Sequence, residues 1–149
     1  MSNIEGKQAA NLPEAILQFM PEALIFSDLE GIIRLWNPAA ETLFGFKAAE
    51  AIGQSLDLII PERLRKPHWD GFNMAVSRGG TKPGRSSAIT RSLHKNGEQI
   101  YVDMSFMMVK NPSGEMLGAM AVARDATARF QEEKNLRRQL AELTPKPAS

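Results

Sequence analysis

The chain contains no cysteine. That excludes disulfides, thiolate zinc sites, cysteine-ligated iron–sulfur clusters and cysteine nucleophiles. Histidine is scarce, with two residues, so any metal or acid–base role for imidazole has few carriers. Neither sign of charge dominates: 18 Lys and Arg against 17 Asp and Glu give a net charge of +1. This balance argues against a face built for nucleic-acid phosphates and against a polyanionic tail. No apolar run approaches the ~20 residues of a membrane span, and no basic-then-apolar leader opens the chain. The expectation is no nucleic-acid or membrane partner, with the cytoplasm as default compartment. A Gly-rich phosphate loop, a Gly-x-Ser-x-Gly elbow and a His-Glu-x-x-His helix are also missing. Carboxylates such as Glu41 and Asp103 fall on polar faces and read as solvated. Nothing points to hydrolysis or group transfer, so the chain reads as a non-enzyme.

What is present is 149 residues, 43% of them hydrophobic and 23% charged, ordinary for one globular domain with its own core. Residues 1–10 lack periodicity. Asn11 is the natural cap of a short helix with Pro13 in its first turn and Ile16, Leu17 and Met20 as its stripe, ended by Pro21. Ala23 to Phe26 reads as a buried strand, Asp28 to Gly31 as a turn, and Ile32 to Trp36 as the hairpin partner. Asn37-Pro38 starts a helix that Gly45 ends. A further helical piece covers Ala48 to Ile52 and stops at Gly53. The apolar stretch Leu56 to Ile60 follows, and Pro61 restarts a helix through His68 and Phe72 to about Val76, before Gly79 and Gly80.

The remainder is strand-like. A strand from about Arg85 to His94 meets Asn96-Gly97, a strong two-residue hairpin signal. Gln99 to Val109, a turn at Asn111 to Gly114, and Met116 to Asp125 complete a meander. Small residues crowd the last strand at Ala119, Ala121 and Ala123. After Thr127 the period becomes helical, with Leu136, Leu140 and Leu143 on one stripe beside Phe130, until Pro145 and Pro147. The order implies an α+β fold: a five-stranded antiparallel sheet, short helices on one face, and N- and C-terminal flanking helices. The space between sheet and helices is the natural ligand site.

Several of these stretches resemble PAS sensory domains: Asp28-Leu29-Glu30-Gly31, Trp36-Asn37-Pro38-Ala39-Ala40-Glu41, Leu43-Phe44-Gly45-Phe46, Ile52-Gly53, Lys95-Asn96-Gly97 and Arg124-Asp125-Ala126-Thr127. The last is similar to the Asp-x-Thr junction by which PAS cores hand over to a signalling helix. The resemblance implies a flanking segment over 1–20, a PAS core over 21–127 and a signalling helix and tail over 128–149. It leaves the ligand open, because PAS domains hold haem, flavin, small acids or nothing. Without cysteine, the flavin–cysteine photochemical adduct is excluded and a redox flavin, FAD, is not.

Pro61-Glu62-Arg63-Leu64-Arg65-Lys66-Pro67-His68 further resembles haem-binding PAS domains of bacterial oxygen-sensor kinases and of a related phosphodiesterase sensor. These share a Pro, an Arg four residues on and the iron-ligating His three later. The resemblance implies b-type haem with His68 as proximal ligand and Trp69, Phe72 and Met74 as walls. A histidine also stands at this helix position in PAS domains without metal, where it packs or hydrogen-bonds. Alternation along 101–108 puts Val102, Met104, Phe106 and Met108 on one apolar face, expected to line the pocket. Met104 is a candidate sixth ligand, against the plainer reading of methionine as core filler. The arginine with which oxygen sensors hold oxygen falls at Ala88, and the phosphodiesterase sensor's methionine at Ser86. If haem is bound, carbon monoxide, nitric oxide or a redox change therefore fits better than oxygen, with Ser86 and Thr90 as weaker hydrogen-bonding groups. His94, beside the Asn96-Gly97 turn, is expected to face solvent and shares no metal spacing with His68.

Function reads as PAS sensing of a small molecule or diatomic gas, with enzymatic chemistry conceivable only on haem. Strain would pass from the last strands through Arg124 to Thr127 into the exit helix. The flanking helices imply a homodimer, and the output lies on a partner or on a longer chain. Two other readings stand: a cofactor-free dimerisation adaptor whose methionines and phenylalanines fill the pocket, and a flavin redox sensor, for which Trp36 is the sole support.

Overall fold

The computed structural model describes residues 7–80 and 88–143. Among the described residues five helices, α1 (Lys7–Phe19), α2 (Pro38–Phe44), α3 (Ala48–Ala51), α4 (Glu62–Arg78) and α5 (Thr127–Leu143), accompany five strands. The strands are β1 (Ala23–Ser27), β2 (Ile33–Trp36), β3 (Ala88–Leu93), β4 (Gln99–Lys110) and β5 (Met116–Asp125), and a 3₁₀ turn covers Leu56–Ile59. They form one antiparallel sheet in the order β2-β1-β5-β4-β3.

The local chemistry of the chain accounts for most element ends. Asn37 caps α2, its Oδ1 accepting from the Ala40 amide at 3.0 Å, with Pro38 in the first turn. The same oxygen accepts from the Leu24 amide, and Nδ2 donates to the Leu17 and Glu22 carbonyls. One buried amide thus ties α1, β1 and α2 together. Gly45 and Gly79 end α2 and α4 in the left-handed region that side chains resist.

The inner face of the sheet alternates as the pattern of 101–108 implies. Met104, Phe106 and Met108 of β4 stand opposite Ala123, Ala121 and Ala119 of β5, which face Ala23, Ile25 and Ser27 of β1. Large side chains on one strand meet small ones on the next. Ile25, Ile33, Trp36, Phe44, Ile59, Phe72 and Val102 are buried between this face and the helices. Burying each such side chain contributes about 1.5–3 kcal/mol.

Four expectations change. α1 does not begin after Asn11 but at Lys7, and Pro13 lies inside it, where it cannot donate to the carbonyl four residues back. His94 does not simply face solvent: its ring lies over Gly45, where a Cβ would fall 2.5 Å from it, and its Nδ1 accepts from the Asn96 amide. Asp103 is not a solvated carboxylate, since its side chain is 16% exposed and paired with Arg129 of α5. Glu41 accepts from the Ala48 amide at 2.7 Å. These contacts join elements distant in sequence, which local pattern does not register. Residues 1–6, the stretch Arg85 to Ser87 where a strand is expected to begin, Ser86 among them, and Pro145 and Pro147 lie outside the described residues.

Candidate ligand cavity between the sheet and the fourth helix

α4 carries the site. Pro61 precedes it and Glu62 occupies its first turn, where a carboxylate suits the positive end of the helix dipole. Leu64, His68, Phe72 and Val76 recur every four residues and fall on one stripe. Phe72 is 3% exposed, packed edge-on against Phe106 of β4. This holds the stripe against the sheet and turns His68 toward it.

The start of α4 is fastened to the 3₁₀ turn. Arg65 donates to the Ile60 carbonyl at 3.1 Å and the Asp57 carbonyl at 3.4 Å. Trp69 Nε1 donates to Asp57 Oδ1 at 2.7 Å. Its six-membered ring lies over Gly31, where a Cβ would meet it at 2.1 Å. The Pro-x-x-x-Arg-x-x-His spacing therefore has a structural content of its own: Arg65 and Trp69 set the height of α4 above the sheet, and His68 comes with it.

Between α4 and the sheet lies a cavity of about 270 Å³. His68 and Leu64 line it from α4, Ile59 from the 3₁₀ turn, and Met104, Phe106 and Ser27 from the sheet. Its floor is low because β5 presents Ala119 and Ala121 there. Burial pushes the His68 imidazole below its ordinary pKa, with the Asp57 carboxylate opposing. His68 is therefore neutral at pH 7. Its Nδ1 is buried without a hydrogen-bond partner, and so is Ser27 Oγ.

Of the other sequence candidates, Trp69, Phe72, Met108, Trp36 and Met74 are not on the cavity wall. Trp69 and Phe72 brace His68 from the side, with ring centroids 4.7 and 6.1 Å from its own. Met108 is buried further along β4, beyond the lining. Trp36 packs on Phe44 at 5.4 Å and donates from Nε1 to the Phe46 carbonyl, so it serves the α2 side of the core. Met74 is 55% exposed and walls nothing. Thr90 lines the cavity, whereas Ala88 does not. Ser27 escaped the sequence reading, although alternation along Ala23, Ile25 and Ser27 puts its hydroxyl on the buried face of β1.

The chain matches the PAS fold family over residues 11–126. It belongs to that family. It is similar to the sensor protein FixL of Bradyrhizobium diazoefficiens, 46% identical over 54 residues, which are 36% of this chain and 11% of the relative. The oxygen sensor protein DosP of Escherichia coli is 29% identical over 126 residues, covering 83% of this chain and 15% of that protein. The chain thus spans a minor part of the curated relatives it matches. A solved PAS domain from Colwellia psychrerythraea superposes with a TM-score of 0.69 at 24% identity, covering 80% of this chain and 98% of the other. The protein is a PAS sensory domain, and among its described residues no helix is long and apolar enough to cross a membrane.

The residues present suit haem in their chemistry. A neutral imidazole with a nitrogen left unpartnered is a proper iron ligand, and Leu64, Ile59, Met104 and Phe106 offer the apolar walls a macrocycle needs. The volume stands just below the ~300–1,000 Å³ usual for ligand pockets. Taking up a porphyrin therefore requires movable wall side chains, of which Met104 is the most adaptable.

Proposed function

We propose that this PAS domain senses through a group held in the cavity at His68, and that the group is b-type haem. The observation that carries the reading is His68 Nδ1, a buried ring nitrogen with no partner, on a residue that lines a cavity walled mainly by aliphatic and aromatic side chains. Natural folds rarely leave such an atom stranded unless a ligand completes it. The likeness to a relative described as an oxygen sensor points the same way. Haem would supply the binding of a diatomic gas or a one-electron change. His68 would hold it, Leu64 and Phe106 would exclude water, and Met104 would stand as the sixth ligand. With Ala88 outside the cavity lining, carbon monoxide, nitric oxide or a redox change remains the favoured signal.

Purified protein supplied with hemin is expected to show a Soret band that His68→Ala removes. A protein that takes up no hemin overturns the reading. Conversion of a six- to a five-coordinate spectrum in Met104→Leu tests the distal assignment, and an unchanged spectrum rejects it. The cavity volume favours a second reading, a small ligand held directly by His68 without haem. It predicts a colourless protein whose unfolding temperature rises with a small polar ligand, and a flavin absorption band would instead mark FAD.

Output follows from the exit helix. α5 meets the sheet at its base, where Phe130 stacks on Tyr101 at 3.8 Å and 11° and Arg129 pairs with Asp103. Thr127 brackets Tyr101 by accepting from its amide and donating to its carbonyl. The Arg91 guanidinium lies 5.5 Å from the centroid of the Tyr101 ring, and Arg91 lines the cavity with its neighbours Thr90 and Ser92. A ligand that displaces β3 would move this stack and turn α5. Leu136 and Leu143, 52% and 80% exposed, would then act in a homodimer or on an output partner.

A further inference from the structure

Haem at His68 leaves one buried, unpartnered polar atom of the cavity without a role. Ser27 is 1% exposed, and its Oγ is unpartnered. Among the described residues, Ser27 Oγ and His68 Nδ1 are the two buried side-chain polar atoms in that condition. Both line the same cavity, His68 from α4 and Ser27 from β1. The sheet and helix layers thus each bring to the cavity one residue with a buried, unpartnered polar atom, beside the polar Thr90, Arg91 and Ser92 of β3.

The strand that carries the hydroxyl is held in place. Ser27 stands in register with Ala119 of β5, two residues on from Ile25, so the alternation of β1 turns its side chain to the inner face of the sheet. Behind it, Gly118 of β5 lies so close that a Cβ would fall 2.1 Å from the Ser27 carbonyl oxygen. The strand pattern calls for an aliphatic residue between Ile25 and the turn, and alanine would fill the position with no desolvated hydroxyl. A buried donor with nothing to donate to, on a residue that lines a cavity, is a group reserved for a ligand.

We propose that Ser27 is the ligand-selecting residue of the cavity, its Oγ–H donating to a diatomic ligand that carries an acceptor atom at its outer end. The proposal rests on the haem reading, and carbon monoxide is the probe. In the full chain loaded with haem, Ser27→Ala is expected to raise the C–O stretching frequency, because a donor at the outer oxygen weakens that bond. Its affinity for carbon monoxide should fall about fivefold, the size of one neutral hydrogen bond. Ser27→Thr, which keeps the donor, should retain the wild-type frequency. Haem-free Ser27→Ala should unfold at the same or a higher urea concentration, since an unpartnered hydroxyl gives the fold nothing. A haem-loaded Ser27→Ala with unchanged stretch and affinity overturns the assignment of Ser27 and leaves haem standing. Marked loss of stability or failure to fold in haem-free Ser27→Ala overturns it too, because the hydroxyl is then partnered within the fold. A wild-type protein that takes up no haem overturns the haem reading and this proposal with it.

Discussion

Two residues show how single side chains set this domain's properties. Asn37 completes four hydrogen bonds from a site 3% exposed. Asn37→Ala removes the α2 cap and strands the Leu24 amide, so a loss of about 2–4 kcal/mol in urea unfolding is expected. His68 gives a pH signature. Its pKa is lowered in the fold by burial, so below about 6.5 the unfolded chain takes up a proton that the folded one resists. The haem-free protein should therefore lose stability as pH falls from 6.5 through the lowered folded value. Above 6.5 both states are neutral and the contribution is fully retained. His68→Gln should flatten the pH-dependence of the urea midpoint in this window. Asp28 and Glu50 act lower. For Asp28, burial pushes upward but hydrogen bonds from the Ile32 amide, Arg34 and the Glu30 amide outweigh it; for Glu50 the Lys95 hydrogen bond leads. Both carboxyls are held below their ordinary range, so their share of stability is lost only as pH falls through their lowered values.

At the scale of elements, the decisive contact is β5 against β1. Ala119, Ala121 and Ala123 keep the inner face of β5 shallow, and Gly118 lets its outer face come close to Phe26 and the Ser27 carbonyl. Gly118→Ala should force the two strands apart at Ser27. The expected cost is about 1–3 kcal/mol, as for other overpacked sites, with the largest rise in amide exchange at the β1–β5 ladder around Ser27. Uniform exchange across the sheet would show that the strain spreads instead. The abundance of small residues in the last strand was visible from sequence, but its consequence, a floor low enough for a cavity, depends on which strand lies beside it. The crossover that puts β5 between β1 and β4 is not written in any local pattern.

On the scale of the whole molecule, the sheet and α2 to α4 form a closed core, while α5 stands off it. None of the residues of α5 is buried. A chain ending at Gln131 keeps Thr127, Arg129 and Phe130 on β4, and its unfolding temperature should fall by less than about 4 °C. A larger fall would mean that the rest of α5 packs on the core or on a second copy. The Asp-x-Thr junction was legible because its chemistry is local: Asp125 Oδ1 accepts from the Thr127 amide at 2.9 Å. The Tyr101–Phe130 stack was not, since it joins two positions in separate elements.

The sequence by itself determined the strands, the capped helices, the turns and the likeness to PAS domains. Each depends on residues a few positions apart, within reach of one cap, one turn or one period. It also singled out His68 on the apolar stripe of α4 and Met104 and Phe106 on the inner face of β4. Only the tertiary structure decided which of the candidates meet. It put His68, Met104 and Phe106 on one cavity, set Trp36 and Met108 elsewhere in the core, and brought in Ser27. A cavity is the volume left between two layers after packing, and a hydroxyl is stranded only when every potential partner has gone elsewhere. Both conditions depend on contacts far apart in the chain, which the order of residues does not display.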